Sequence, residues 1–353
     1  MKKLLFILCL GSLLIAQAAV SEGVQYRLID LGTSSGNMCS ASGINNSGQV
    51  VGWERLLNGD EHAILWQNGV KTDLSNLGGK HSGASEINDS GQVVGYADPP
   101  GSTAHPILWQ NGEMTDLGTF GGDYSYANGI NASGQVVGYS SLSNGSQHAF
   151  LWQNDVKTDL GTLGGSSSYA NGINDSGQVV GSADLLTTSR HAYLWQNDIM
   201  TDLGTLGGTS SYAYGINNCG QVVGYSNISN ANEHAFLWES DVMTDLGTLG
   251  GTFSHAYGIN NSGQVVGSSN LLTTYRHAFL WQNGEMTDLG TLGGKYSNAY
   301  RINANGWIVG NATDASGFQH AVLWQPVPEP SCILALLCGI SGMGGLVWKR
   351  KSA

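Results

Sequence analysis

The chain has 353 residues, with 14 basic and 26 acidic side chains and a formal net charge of −12 at pH 7. Its 52 glycines are about twice the share found in an average soluble protein. A hydrophobic content of 41% excludes a disordered polar chain, and 6 prolines without a Gly-x-y period exclude collagen. Length alone predicts about two domains, but an internal repeat accounts for both the length and the glycine content.

The first 18 residues have the pattern of a secretory signal peptide. Lys2 and Lys3 form a positive start, residues 4–15 are apolar, and Ala16-Gln17-Ala18 is a small-x-small cleavage site. The alternative is an uncleaved membrane anchor, which the length of the apolar run disfavours because a membrane span needs about 20 residues. We therefore predict a signal peptide over residues 1–18.

A 43-residue repeat fills the chain between its two ends. The isoleucine of a Gly-Ile-Asn motif marks the period, and isoleucine recurs at the equivalent position seven times, at Ile44, Ile87, Ile130, Ile173, Ile216, Ile259 and Ile302. A period of 40 to 45 residues with aromatic and turn signatures is typical of one four-stranded propeller blade. Helical solenoids are disfavoured because no helical-period apolar stripe of 10 residues occurs.

Each repeat contains four short β-strand patterns. In the fourth copy they cover residues 168–174, 178–182, 191–195 and 199–203. Several copies join the last two strands by Asn-Gly, which suits a two-residue hairpin. The third strand is apolar on both faces, so we expect it to pack between two neighbouring sheets. We predict an all-β, seven-bladed β-propeller over residues 24–325.

The two ends of the repeat region predict ring closure. The last copy stops at Trp324-Gln325-Pro326 and lacks its fourth strand. Residues 25–32 have the register of that strand, because Asp30 precedes the equivalent Asp73 by 43 residues. We therefore expect the N-terminal strand to complete the last blade.

Histidine, tryptophan and aspartate also recur seven times, as in His148, Trp152 and Asp159. Equivalent residues in neighbouring blades are expected to lie roughly 10 Å or more apart, too far to share a zinc ion. The alternative to a metal or catalytic role is a hydrogen-bond network within each blade. We favour that network and predict neither catalytic residues, nor a metal site, nor a cofactor.

Two stretches vary between copies: the residues after Gly-Gly and the nine residues before each repeated histidine. Both are predicted to connect strands on the same face, where loops commonly carry recognition. The alternative is neutral drift of exposed loops. The predicted binding rim consists of Trp53, Arg55, Tyr124, Arg190, Tyr275 and Arg276.

Residues 327–353 form a second targeting segment. Pro328-Glu329-Pro330 precedes an apolar stretch at 332–348, and Lys349-Arg350-Lys351 follows it. The apolar stretch is just long enough to cross a bilayer, and the basic triplet should remain cytoplasmic. An ordinary tail anchor is the alternative to a sorting signal.

Charge and cysteine content follow from these boundaries. Residues 19–327 hold 9 basic and 25 acidic side chains, a net charge of −16, which would repel nucleic acid. Only Cys39 and Cys219 lie in this part of the chain, about four repeats apart. We therefore expect no disulfide framework.

Two segments resemble known families. Residues 148–152, 234–238 and 277–281 read His-Ala-Phe-Leu-Trp, and with the recurring Asp-Leu-Gly-Thr-Leu-Gly-Gly they resemble the bacterial HAF repeats; Pro106, Arg301 and Trp307 depart from that pattern. The tail resembles the PEP-CTERM sorting signal of Gram-negative bacteria. These resemblances imply secretion, transient anchoring in the inner membrane, processing by an exosortase, and release to the outer envelope or extracellular matrix, with no established activity.

The sequence therefore favours a non-catalytic secreted or surface-exposed repeat protein that associates with extracellular matrix, polysaccharide or another surface protein. A secreted glycan hydrolase or lyase with its site in the central channel is the alternative. A passive structural surface protein without a ligand is a third possibility.

Overall fold

The computed structural model describes residues 25–32, 38–74, 77–187 and 189–327. The predicted signal peptide, the Pro328-Glu329-Pro330 motif and the apolar stretch at 332–348 lie outside these residues. The described part is all-β, and its strands recur in sets of four. The all-β, four-stranded-repeat part of the predicted fold is thereby confirmed.

Twenty-eight strands follow the order of the chain in the described residues. Strand β1 spans Tyr26–Asp30, and the next three sets are β2 (Cys39–Ile44), β3 (Val50–Arg55), β4 (Glu61–Gln67) and β5 (Val70–Asp73); β6 (Ser82–Ile87), β7 (Val93–Ala97), β8 (His105–Gln110) and β9 (Glu113–Asp116); and β10 (Gly121–Ile130), β11 (Val136–Leu142), β12 (Gln147–Gln153) and β13 (Val156–Asp159). The remaining strands are β14 (Gly164–Ile173), β15 (Val179–Leu185), β16 (Arg190–Gln196) and β17 (Ile199–Asp202); β18 (Gly207–Ile216), β19 (Val222–Ile228), β20 (Glu233–Glu239) and β21 (Val242–Asp245); β22 (Gly250–Ile259), β23 (Val265–Leu271), β24 (Arg276–Gln282) and β25 (Glu285–Asp288); and β26 (Gly293–Ile302), β27 (Ile308–Asp314) and β28 (Gln319–Pro326).

Each set forms an antiparallel sheet in sequence order, and a single parallel bridge between Arg276 and Tyr296 joins the sixth sheet to the seventh. In the fourth copy the first strand begins at Gly164, four residues before its predicted start, because Gly164 pairs with Leu185 across a register shift. The loop before His191 is correspondingly shorter than the sequence indicated.

Strand β1 pairs with the last strand of the chain. It runs antiparallel to β28, with Asp30 opposite Val322 and Tyr26 opposite Pro326. In the third sheet Asp159 lies opposite Phe150 in the same register. The seventh sheet therefore takes its fourth strand from the other end of the repeat region.

Glycine is required where strands approach closely or turn tightly. A Cβ on Gly138 would lie 1.9 Å from the carbonyl oxygen of Tyr126, so no side chain fits there. At the hairpin between β4 and β5, Asn68 and Gly69 both have positive φ, at 52° and 75°. Two positive φ values are the signature of the turn that matches the twist of a hairpin.

The hydrophobic core lies between neighbouring sheets. Val137 and Ala149 of the third sheet pack with Ala170, Val179 and Tyr193 of the fourth, and all five are fully buried. The two-sided apolar third strand follows from this arrangement, since each face meets a different sheet.

The first and last sheets pack together as well. Cys39 and Ala41 share a core cluster with Val309 and Ala321. The Cys39 Sγ accepts a hydrogen bond of 3.0 Å from the backbone N–H of Ala321. Serine occupies this position in the other copies.

Candidate functional site

Residues of the first strands, and of the turns that follow them, line a group of adjoining cavities. Three of them share wall residues: a wide mouth of about 590 Å³, a chamber of about 170 Å³, and a narrow mouth of about 220 Å³. Arg301 lines both the wide mouth and the chamber, and repeated isoleucines such as Ile44 line both the chamber and the narrow mouth. The chamber therefore lies between the two mouths.

A closed cycle of asparagine hydrogen bonds surrounds the narrow mouth. Each side-chain Nδ2 donates to the backbone oxygen of the equivalent asparagine in the next sheet, at 3.0 to 3.1 Å, in the order Asn45, Asn88, Asn131, Asn174, Asn217, Asn260, Asn303 and back to Asn45. The asparagine that follows each repeated isoleucine thus links every sheet to its neighbour.

A β-bulge leaves one extra residue in each first strand, and in six of the seven strands that residue lines the wide mouth. In the third sheet Ala127 pairs with Gly138 and Gly129 with Val137, which leaves Asn128 as the extra residue. Bulges re-aim side chains in this way. The six equivalent positions that line the mouth are Ser42, Ser85, Asn128, Asn171, Tyr214 and Tyr300.

These bulge residues give different parts of the wide mouth different side chains. The first two copies supply serine, the next two asparagine, and the fifth and seventh tyrosine. Trp53 and Tyr139, from the second strands of their sheets, add aromatic surface. The mouth therefore combines aromatic rings with short hydroxyl and amide side chains.

The mouth tyrosines are held by other aromatic side chains. The rings of Tyr214 and Tyr225 stack with centroids 5.9 Å apart, and Tyr300 lies 5.5 Å from Tyr257. Burial raises the pKa of Tyr214 and of Tyr300 to about 12. Both phenols therefore stay protonated near neutral pH and remain able to donate and accept hydrogen bonds.

An ion pair crosses the wall between the mouth and the chamber. Arg301 Nε donates to Glu86 Oε2, and Arg301 Nη1 donates to the backbone oxygens of Tyr257 and Tyr300 at 3.2 and 3.1 Å. Burial raises the pKa of the Glu86 carboxyl, while Arg301 acts in the opposite direction. The pair spans the first sheet, where a Cβ on Gly43 would lie 2.9 Å from the Glu86 Cα.

The structure separates the residues of the predicted binding rim. Trp53 lines the wide mouth. Tyr124 lines a different cavity of about 190 Å³ and hydrogen-bonds the Gln147 amide. The Tyr275 ring meets the Tyr296 ring edge-on at 6.2 Å. These three aromatic residues do not form one site.

The rim arginines are engaged with neighbouring side chains. Arg55 Nη2 lies 2.5 Å from Glu61 Oε1, and Arg190 Nε lies 2.7 Å from Asp184 Oδ1. Arg190 also stacks over a tyrosine ring, with 4.6 Å to the centroid. Arg276 begins β24 and forms the bridge to the seventh sheet. The three arginines therefore lie at strand ends and are not gathered at the mouth.

Sequence reasoning missed Tyr139, Tyr214, Tyr300 and Glu86 as site residues, and treated Arg301 only as a departure from the repeat. The sequence did carry a signal for three of them. Tyr214 and Tyr300 precede the glycine position of the Gly-Ile-Asn motif and Glu86 replaces its glycine, and both positions vary among constant neighbours. Their common orientation toward the axis depends on the bulge, which has no signature in a single copy.

The recurring histidines pair with aspartates in their own sheets. His148 Nδ1 lies 2.7 Å from Asp159 Oδ2, and Trp152 of the same strand packs against the core. In the seventh sheet His320 lies 2.9 Å from Asp30 of β1. Within the described ranges, no three His, Cys, Asp or Glu side chains are placed to hold a metal ion. The same ranges hold no helix long and apolar enough to cross a membrane.

The comparisons with known proteins give structural similarity alone. No family model and no curated protein matches the chain. Propeller-like solved structures are similar at low identity: TolB from Acinetobacter baumannii (10% identity, 78% of this chain and 79% of that chain, TM-score 0.46), a mutant Aleuria aurantia lectin with alpha-methyl-L-fucoside (12%, 82% and 93%, 0.39), and Trypanosoma rangeli sialidase (10%, 83% and 54%, 0.39). Such similarity concerns the arrangement of strands and not a ligand or an activity.

Proposed function

We propose that the chain is a closed seven-bladed β-propeller that binds polysaccharide at its wide mouth without catalysis. Closure is supported by the pairing of β1 with β28 and by the Asn303 bond to Asn45, which returns the asparagine cycle to its start. The core shared by Cys39 and Ala321 supports it as well.

The wide mouth carries the proposal of glycan binding. A sugar ring has apolar C–H faces and a rim of hydroxyl groups, so it needs aromatic surface together with hydrogen-bonding side chains. Tyr214 and Tyr300 offer the first and Asn128, Asn171 and Ser85 offer the second around one cavity of about 590 Å³. A few polar groups in a concave, partly aromatic site are typical of ligand binding.

One observation favours the alternative of a glycan-active enzyme. Glu86 is a carboxyl group with a raised pKa on the wall of the chamber, and such groups serve as general acids. Glycoside hydrolysis usually needs a second carboxyl group about 5 to 10 Å away. The charged partner of Glu86 on the chamber wall is instead Arg301, whose positive charge favours the ionised carboxylate over the protonated acid. We therefore favour binding over hydrolysis.

Export remains part of the proposal and rests on the sequence. The HAF resemblance and the Pro328-Glu329-Pro330 motif support an exosortase and the secretion machinery as partners, and surface or extracellular localisation. Replacing those three residues with alanine should keep the protein in the inner membrane. Unchanged export in cell fractions would contradict this part of the proposal.

Binding is tested with the purified protein on a glycan array, followed by calorimetry with the best oligosaccharide. Tyr214→Ala and Tyr300→Ala should each weaken binding at least about 10-fold, a loss of about 1.4 kcal/mol. Tyr296→Ala is the matched control, because Tyr296 is an exposed tyrosine outside the mouth. Equal effects of all three changes would refute the mouth as the site, and release of shortened products would favour the enzyme.

A further inference from the structure

Among the described residues, the Glu86–Arg301 pair supplies the charged side chains that line the wide mouth and the chamber. The equivalent residue is glycine in the other five copies, as at Gly129 and Gly172. The two side chains come from the second and seventh sheets and meet across the first. Two separate departures from the repeat are therefore joined in one interaction at the base of the wide mouth.

The charge balance of the mouth depends on this pair. Arg301 is the one charged side chain among the described residues that line the wide mouth. Its Nε is bonded to Glu86, and its Nη1 is bonded to two backbone oxygens. The arginine therefore meets the ligand with its positive charge already balanced by a carboxylate.

A balanced pair suits a particular chemistry. Guanidinium N–H groups donate hydrogen bonds, so Arg301, which lines the wide mouth, can donate to sugar hydroxyls, while Glu86 holds it from the chamber wall. A ligand carboxylate paired with Arg301 would share the guanidinium with Glu86, which already occupies Arg301 Nε, and would bring a second negative charge close to it, which is strongly unfavourable. The remaining mouth groups, such as Asn128 and Tyr300, are uncharged.

We propose that Glu86 is a specificity-determining residue that restricts the wide mouth to uncharged, hydroxyl-rich saccharides. Arg301 supplies hydrogen-bond donors, and Glu86 prevents it from acting as a receptor for carboxylated sugars. Removal of the Glu86 carboxylate would leave the Arg301 guanidinium without its ion-pair partner, so that uronic-acid polymers could bind. This inference rests on the proposed function, because it names the ligand class of the same mouth.

The test uses pairs of hexasaccharides that differ only at C6: glucan and glucuronan, galactan and galacturonan, mannan and mannuronan. Affinities are measured by calorimetry with the full protein and with Glu86→Gln. Glu113→Gln is the matched control, since Glu113 is an exposed glutamate of the same repeat on edge strand β9. We expect the wild type to bind a neutral hexasaccharide at least about 10-fold more tightly than its uronate partner.

Glu86→Gln should reduce the ratio of neutral to uronate affinity by at least about 10-fold, whereas Glu113→Gln should leave this ratio unchanged. The double variant Glu86→Gly with Arg301→Gly restores the glycine of the other copies, which provides a second variant compatible with the repeat. Its ratio of neutral to uronate affinity should also approach one, because the charges of Glu86 and Arg301 are both absent.

A wild-type preference for uronates, or an unchanged ratio in both variants, would overturn the role of Glu86 while leaving glycan binding intact. Absence of binding to all six hexasaccharides and to the whole glycan array would instead refute the proposed function, and this inference with it.

Discussion

The asparagine cycle provides the sharpest test of ring closure, because one of its seven bonds crosses the two ends of the repeat region. Asn303 Nδ2 donates to the Asn45 backbone oxygen at 3.0 Å, and Asn303 Oδ1 accepts from the N–H groups of Asn305 and Trp307. Asn174, away from the ends, makes the equivalent bonds and one more, to Gln178 Oε1 at 2.6 Å.

The expected changes in the free energy of unfolding follow from the burial of each asparagine and the number of its hydrogen bonds. Asn174 is 3% exposed and Asn303 is 5% exposed. A buried hydrogen bond contributes about 1 kcal/mol net, so Asn174→Ala should lower the free energy of unfolding by about 4 kcal/mol. Asn303→Ala, with three bonds, should lower it by about 3 kcal/mol.

An open ring predicts a different result for Asn303 alone. Without the first sheet beside it, Asn303 would lose its bond to Asn45 and its two turn bonds would be exposed to water. The Asn303→Ala change would then cost no more than about 1 kcal/mol. Asn144→Ala calibrates this case, since Asn144 accepts one turn bond from the Ser146 N–H at an exposed site.

The assay is urea unfolding followed by tryptophan fluorescence and circular dichroism, with the wild type and the three variants compared. A closed ring requires Asn303→Ala to resemble Asn174→Ala. If Asn303→Ala instead resembled Asn144→Ala, the seam would be open and the closed propeller would be wrong.

Three further predictions concern single side chains. Burial lowers the pKa of Lys157 from 10.5 to about 8, so between pH 8 and 10.5 the unfolded chain holds a proton that the folded chain lacks. As pH rises through this window, the free energy of unfolding from urea titrations should increase for the wild type by up to about 3 kcal/mol relative to Lys157→Met. A difference between the two proteins that does not change with pH would contradict the burial of the ammonium. Burial raises the pKa of the Cys39 thiol to about 11, so peptide mapping after iodoacetamide treatment at pH 8 should find Cys39 unmodified until urea is added; rapid labelling of the native protein would disprove its burial. His148→Ala removes the 2.7 Å contact with Asp159 and should lower stability by about 1 kcal/mol or less with glycan affinity unchanged; loss of binding at an unaltered melting temperature would give His148 a functional role.

Much of the fold was accessible from the sequence because the signals were local and repeated. The 43-residue period located the four-stranded units, and the shift between Asp30 and Asp73 predicted the partner of the N-terminal strand. Strand β1 indeed pairs with β28. Strand starts were less accurate, as at Gly164, because pairing with Leu185 depends on the neighbouring strand.

The candidate site was largely inaccessible from one sequence. Trp53 was the one predicted rim residue that lines the wide mouth. The arginines Arg55 and Arg190 were selected by residue type, yet each is paired with an acidic neighbour that residue type does not reveal.

The sequence by itself therefore determined the repeat, its strands and the position of its turns, since hairpins form between residues close along the chain. Only the tertiary structure decided which side chains line the wide mouth and the chamber. Glu86 and Arg301 are 215 positions apart, and Tyr214 and Tyr300 reach the mouth through bulges in separate sheets. Contacts between such distant residues arise when neighbouring sheets pack together, a property of the assembled set of repeats and not of any one copy.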